Sequence, residues 1–182
     1  MDAQSISVEE KLQERIKELS CLYQVSSALR EFDGSYEATL KSILQILKNA
    51  WRFPELATVE IQCESYHLSS NPIPKEAYSQ KSIIKISENE VGFIKVHYPA
   101  SDLSKAHFLV EEQRLLDKIA YEIALFFERQ NIKIQEEHLK LIAARNDRLA
   151  ILGEITAGIA HELNTPLGNI LGFAEFIEEK TS

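Results

Sequence analysis

A helical pattern runs with few breakers from about Ala106 to about Lys180, and it constrains the fold more than any other feature. Apolar residues recur in it at steps of three and four, as in a coiled-coil seam. The seam positions are Leu139, Ile142, Leu149, Leu152, Ile155, Ile159 and Leu163. A periodic helix much longer than about 25 residues rarely stands alone in water. The pattern therefore predicts that this helix pairs with another copy of the chain.

Two helices are predicted near the start of the chain. Ser7 to Glu10 has the form of a capping box, and helical spacing follows it as far as the turn pair Asp33-Gly34. Ser35 can cap a second helix that ends near Trp51.

Four short strands are predicted between these helices and the long one. Residues 56–63 alternate between apolar and polar side chains, which predicts a half-buried strand, and residues 66–69 can pair back on it. Residues 81–87 and 91–98 resemble a hairpin joined by residues 88–90. Helices on both sides of antiparallel strands predict an α+β fold with the helices on one face of the sheet.

Composition and charge argue against several functional classes. The net charge of −8 is unsuited to binding nucleic acid or an anionic membrane. No apolar run approaches the length of a membrane span, and the first residues lack a basic region and an apolar signal core. We therefore expect a cytoplasmic chain. Cys21 and Cys63 have no metal-ligand spacing and are interpreted as half-buried thiols in a reducing compartment.

The run from Gly153 to Leu167 places His161 on a helix, with Glu162 beside it and Pro166 just beyond. Imidazole is a side chain that can be neutral and nucleophilic at cellular pH. A neighbouring carboxylate can hold the ring in one tautomer and accept its proton as the other nitrogen attacks.

Helical geometry separates this histidine from the apolar stripe. At about 100° per residue, Leu152, Ile155, Ile159, Leu163 and Ile170 fall within a sector of roughly 80°. His161 lies about 180° from the centre of that stripe, Thr165 lies about 40° from His161, and Glu162 flanks the stripe. The stripe can therefore pack in a bundle while the imidazole faces an incoming domain.

The stretch from roughly Arg145 to Phe176 resembles the H-box of sensor histidine kinases. The resemblance implies that His161 accepts the γ-phosphoryl group of ATP and that Glu162 is the general base that orients and deprotonates it. In the same pattern, Thr165 would position water to hydrolyse the phosphorylated partner.

The same resemblance implies roles for two further residues of this helix. Asn164 would contact phosphate or the ATP-binding domain, and Pro166 would be a hinge. Pro166 cannot donate a hydrogen bond to the carbonyl of Glu162, so a bend is expected just below His161. Interior glycines add to the pliancy of this segment; they are Gly153, Gly158, Gly168 and Gly172.

Residues from roughly Leu19 to Gln130 resemble a GAF domain in their order of helices and short antiparallel strands. Neither the bilin-attachment surroundings nor the cyclic-nucleotide signature of that family is present. Cys63, His67 and His97 are interpreted as strand or surface residues rather than ligands.

Four segments are predicted along the chain. Residues 1–18 form a helical lead-in, 19–130 a GAF-like sensory domain, 131–148 a coiled-coil linker, and 149–182 the phosphoacceptor helix of an incomplete HisKA domain. The second bundle helix and the ATP-binding domain that the family needs are not in the sequence, and the six glycines form no nucleotide lid or Walker loop. No cofactor or metal is expected in this chain, ATP and Mg²⁺ belong to the missing domain, and we expect no kinase activity from the chain alone.

The leading interpretation is the sensory and phosphoacceptor portion of a two-component kinase. Its expected partners are a second copy, paired through the coiled coil and the H-box helix, the ATP-binding domain of the parent kinase, and the receiver domain of a response regulator. Without the second bundle helix, either the apolar face pairs with another chain or the last turns fray. The alternative is a non-enzymatic GAF-type dimerisation and signalling scaffold. A small-molecule enzyme has little support, because no nucleophile and base cluster between Leu19 and Gln130.

Overall fold

A computed structural model of the protein describes residues 8–100 and 108–181. The chain divides into two compact units, Met1–Gln130 and Asn131–Ser182. The predicted start of the first helix at Ser7 and of the last near Ala106 lie outside the described residues.

The described part contains three helices and four strands, in the order expected for an α+β fold. The elements are α1 (Val8–Arg30), α2 (Tyr36–Ala50), β1 (Thr58–Cys63), β2 (Tyr66–Ser69), β3 (Ala77–Ile86), β4 (Asn89–Pro99) and α3 (Val110–Thr181). The strands form one antiparallel sheet in the order β2-β1-β4-β3. The predicted fold class, an antiparallel sheet with flanking helices followed by a long helix, is confirmed.

One face of the sheet forms the core with the helices. Alternate residues of β1 and β4 point into it, because successive side chains of a strand face opposite sides. The largest buried members are Trp51, Tyr98, Phe127, Leu40, Ile43, Leu44, Leu47, Ile61, Ile84, Ile94, Leu116 and Ile119. The hydroxyl of Ser35 accepts a hydrogen bond from the amide of Ala38, so this predicted cap of α2 is confirmed.

Three local predictions are wrong in detail. Strand β1 is buried at every position except Gln62, rather than half-buried, and its outward-facing Glu60 is covered because His67 and His97 of the two neighbouring strands contact its carboxylate. Both thiols are fully buried, and burial raises the pKa of Cys21 and Cys63 to about 12. The β3–β4 hairpin turns at Ser87 and Glu88, which both have positive φ, rather than at residues 88–90.

Strand β4 passes unusually close to β1 at Gly92, which pairs with Cys63. A Cβ atom on Gly92 would lie 2.7 Å from the carbonyl carbon of Gln62 and 2.8 Å from the Cα of Cys63. Both neighbours are backbone atoms, so this approach of the two strands requires glycine.

The first turn of α3 is tied to the segment after α2 by the buried side chain of Glu112. Its carboxylate accepts hydrogen bonds from the amides of Arg52, at 3.0 Å, and Leu109, at 2.8 Å. The bond to Leu109 is the backward half of a capping box. Burial raises the pKa of Glu112.

We expect Glu112→Ala to lower the free energy of unfolding of the first unit by about 2 to 4 kcal/mol, because two partly buried amides lose their acceptor. Chemical denaturation followed by the fluorescence of Trp51, the single tryptophan of the chain, would measure this loss. The exposed neighbour Glu111 supplies the control, since Glu111→Ala removes a carboxylate from the same turn without touching these amides. If both substitutions lowered the free energy of unfolding equally, the proposed contribution of the Glu112 hydrogen bonds to stability would be contradicted.

Candidate functional site

The residues of the predicted phosphoacceptor site all lie on α3 within the second unit. His161, Glu162, Asn164 and Thr165 are exposed. The hydroxyl of Thr165 donates a hydrogen bond to the backbone carbonyl of His161 at 3.1 Å, one helical turn back. The imidazole ring and the carboxylate are therefore accessible to an incoming domain, while the Thr165 hydroxyl is engaged with the helix backbone.

The apolar stripe on the other side of this helix is also exposed in the single chain. Its side chains are between 53% and 64% exposed; they are Leu152, Ile155, Ile159, Leu163, Leu167 and Ile170. Every described side chain from residue 131 to residue 172 is exposed. Burying a Leu or Ile contributes roughly 1.5 to 3 kcal/mol, so this stripe favours association with another helix.

Pro166 lies inside α3, and the helix continues beyond it to Thr181. Because proline has no N–H group, the carbonyl of Glu162 lacks its usual helical donor. This leaves an open acceptor in the turn that also carries His161. The hinge role of Pro166 stays a prediction.

A second polar cluster, which the sequence did not predict, lies on the face of the sheet opposite the helices. The carboxylate of Glu60 on β1 contacts Nε2 of His67 on β2 at 2.7 Å and Nε2 of His97 on β4 at 2.9 Å. Glu60 is only 6% exposed and His97 is buried. Both histidines lie on strands, as interpreted, and the cluster ties three strands together. Among the residues that the structure describes, no group of side chains has the arrangement of a metal site.

The Glu60 cluster predicts a specific acid sensitivity of the sheet. Burial acts to raise the pKa of Glu60, but hydrogen bonds to His67 and His97 and the charge of Lys95 outweigh it, so the pKa is lowered from 4.5. A carboxyl whose pKa is lowered by folding contributes stability above its unfolded pKa and loses it as the pH falls through the folded value.

We therefore expect the unfolding free energy to fall below about pH 4.5 more steeply in the native protein than in Glu60→Gln. Denaturation between about pH 3 and pH 7, followed by Trp51 fluorescence, would measure both slopes. The exposed Glu76 is the control, and Glu76→Gln should keep the native slope. An unchanged slope in Glu60→Gln would contradict the proposed contribution of this carboxylate.

None of the helices in the described residues has an apolar stretch long enough to cross a membrane.

Residues 151–182 match the family model of the His Kinase A (phospho-acceptor) domain. Curated relatives align over the same part of the chain. The sensor histidine kinase ZraS of Klebsiella oxytoca is 36% identical over 55 residues, which are 30% of this chain and 11% of that protein. ZraS of Salmonella typhimurium is 38% identical over 51 residues, 27% of this chain and 11% of the relative.

The signal transduction histidine-protein kinase AtoS of Escherichia coli K12 is 46% identical over 39 residues, 21% of this chain and 6% of AtoS. The matched segment thus spans about a tenth of these kinases or less.

Among solved structures, the crystal structure of the A. aeolicus nlh2 GAF domain in an inactive state aligns with a TM-score of 0.45 and 13% identity. It covers 64% of this chain and 99% of that domain. The fold assignment rests on the sheet order and helices described above and not on this alignment.

His161 and its neighbours on the exposed side of α3 lie inside the matched segment, together with the apolar stripe. Residues 151–182 are therefore similar to the His Kinase A (phospho-acceptor) domain.

Proposed function

We propose that this chain is the sensory and phosphoacceptor portion of a two-component histidine kinase. The observation that carries the proposal is the exposed His161 next to Glu162, on a helix that matches the phospho-acceptor family and carries its apolar stripe on the other side. An imidazole held this way is accessible to a bulky phosphoryl donor while the stripe packs elsewhere.

In the proposed reaction, one ring nitrogen of His161 attacks the γ-phosphorus of ATP. A P–N bond forms, the bond to the β-phosphate oxygen breaks, and ADP leaves. Glu162 accepts the proton from the other ring nitrogen, which makes the attacking nitrogen more nucleophilic. ATP and Mg²⁺ would be presented by a separate ATP-binding domain. A receiver-domain aspartate of a response regulator would then take the phosphoryl group.

Thr165 would take part in the opposing phosphatase reaction, by positioning water to hydrolyse the phosphorylated regulator. Its hydroxyl now donates to the carbonyl of His161, so a rotation about χ1 is needed before it can hold a water molecule. Asn164, exposed one residue earlier, would contact phosphate or the ATP-binding domain.

Phosphorylation in trans tests the proposal. The chain is incubated with labelled ATP and a histidine-kinase ATP-binding domain that is active on its own phosphoacceptor bundle. Acid-labile label on the chain supports the phosphoacceptor role. Absence of label from this chain and from a version extended by a second bundle helix would favour the alternative, a non-enzymatic GAF-type scaffold.

We also propose that the chain is a homodimer through its coiled-coil and H-box segments. The exposed stripe on α3 favours pairing with a helix of similar length. One chain has a mass of 20.7 kDa. Light scattering at micromolar concentration should give twice that mass. A monomer at that concentration would contradict the proposed homodimer.

A further inference from the structure

The outer face of the sheet, which is the side opposite the helices, carries two lysines beside two apolar side chains on β3 and β4. Lys81 of β3 lies opposite Lys95 of β4, and Ile83 lies opposite Phe93. On each strand the residue between these two positions is buried. Because successive side chains of a strand face opposite sides, all four point to the outer face. Lys81 and Lys95 are the lysine pair, and Ile83 and Phe93 are the apolar shelf.

The lysine pair places two like charges directly opposite each other, which destabilises a sheet. Both ammonium groups lie over the ring of Phe93, at 5.1 Å from its centroid for Lys81 and 4.3 Å for Lys95. Contact with an aromatic face attracts each cation but supplies no negative charge. Among the described residues, neither lysine forms a salt bridge with a carboxylate.

The carboxylate opposite the lysine pair is already engaged. Glu60 lies opposite Lys95 in the register of β1 and β4. Its two oxygens contact His67 and His97 at 2.7 Å and 2.9 Å, so they are held by the histidines rather than by the lysines. The lysine pair is therefore a local positive surface on a chain whose net charge is −8, and an anionic partner would relieve its repulsion.

The shape of this region favours a protein as that partner. The connection between β2 and β3, residues 70–76, contains no helix that could cover the outer face. Ile83 is 36% exposed and Phe93 is half-buried, so the apolar shelf adjoins the lysine pair at the surface. Small ligands bind mainly in concave pockets. Nucleic acid and anionic membranes are disfavoured by the net charge of the chain.

A helix with two carboxylates one turn apart matches the spacing of the lysine pair. Residues directly opposite in an antiparallel sheet have Cβ atoms about 4.5 to 5.5 Å apart, and residues four apart on a helix have theirs about 5 to 6 Å apart. A second copy of this chain fits less well. In a symmetric pair the same patch meets itself, so one lysine pair would face another.

We propose that the lysine pair and the apolar shelf form a docking surface for an acidic amphipathic helix of another protein. Two carboxylates of that helix pair with Lys81 and Lys95, and an apolar side chain on the same side of it packs on the shelf.

Fluorescence anisotropy with the full chain tests the docking. The probe is a labelled helical peptide with glutamates four residues apart beside a row of leucines, and the comparison peptide has glutamine in place of each glutamate. The acidic peptide should bind about fivefold or more tightly, the gain expected from two ion pairs at a protein surface. Added salt should reduce this preference. Since the chain as a whole repels an anionic peptide, the preference would identify a local positive surface.

A substitution that keeps the sheet intact tests the lysine pair itself. Lys81→Glu places opposite charges across β3 and β4, which favours the sheet, and it should abolish the preference for the acidic peptide. The matched control is Lys41→Glu, which makes the same change in net charge at an exposed position on α2; it should keep the preference. Ile83→Ser should weaken binding of both peptides. Trp51 fluorescence would establish that each variant is folded.

Equal binding of the two peptides to the native chain would overturn the proposal. A preference that persists in Lys81→Glu, or that is lost equally in Lys41→Glu, would also overturn it, because net charge rather than the lysine pair would then decide. Displacement of the peptide by inorganic phosphate at a similar concentration would assign the lysine pair to a small anion. Stronger binding to phosphatidylglycerol vesicles would assign it to a membrane, and either result would overturn the docking of a protein.

Discussion

The His161→Gln variant is expected to take up no acid-labile label from ATP when a histidine-kinase ATP-binding domain is supplied. Glutamine keeps a polar side chain of similar size on the helix but has no nucleophilic ring nitrogen, so the P–N bond cannot form. Glu162→Ala should reduce the initial rate of labelling by about a hundredfold or more, the range expected for loss of a general base. The acid and alkali stability of the label would identify the P–N bond. Time courses of labelling would measure the rate for each variant.

A second histidine on the same helix supplies the matched control. His138 is also exposed on α3, but it lies outside the segment that matches the phospho-acceptor family. His138→Gln should therefore keep the native rate of labelling. Circular dichroism and light scattering of all the variants would establish that they keep the helix content and mass of the native chain. Label that persists in His161→Gln would contradict the proposed phosphoacceptor role of His161.

The Gly92→Ala substitution is expected to be the most damaging single change in the sheet. The added Cβ would overlap the backbone of Gln62 and Cys63, which cannot move without separating β1 from β4. Overpacking a rigid site typically lowers stability by 1 to 3 kcal/mol, and because both neighbours are backbone we expect a loss of about 3 kcal/mol. Denaturation monitored by Trp51 fluorescence would report the unfolding of this unit, since Trp51 is fully buried in its core.

Gly153 on α3 is the control for the same chemical change. A Cβ there meets nothing within 4 Å, and alanine is the better helix former by about 1 kcal/mol. Gly153→Ala should leave the unfolding transition reported by Trp51 fluorescence unchanged. If Gly92→Ala had the same denaturation midpoint as the native protein, the prediction would be contradicted, because β1 and β4 would then accommodate the added Cβ without loss of stability.

Local patterns in the sequence were sufficient to predict the helices, the strands and the fold class. The cap at Ser35 and the alternation before Cys63 depend only on neighbouring residues, so they can be read without the tertiary fold. The phosphoacceptor helix was recognisable for the same reason, because His161, Glu162 and Thr165 lie within one and a half turns. Their catalytic roles stay predictions.

Features that depend on strand register could not be predicted in this way. Glu60, His67 and His97 meet only because β1 lies between β2 and β4 in a particular register, and the sequence contains no local signal for that order. The β3–β4 turn was misplaced for a related reason. Ser87 and Glu88 adopt positive φ without the glycine or asparagine that normally indicates a two-residue hairpin.

The Glu112 carboxylate fixes the first turn of α3 along its axis. A slide of a single residue moves a helix by about 1.5 Å, which is enough to stretch the 3.0 Å hydrogen bond from the amide of Arg52 beyond its useful range. The hydrogen bond from Arg52 therefore resists sliding of the first turn of α3 relative to the segment after α2.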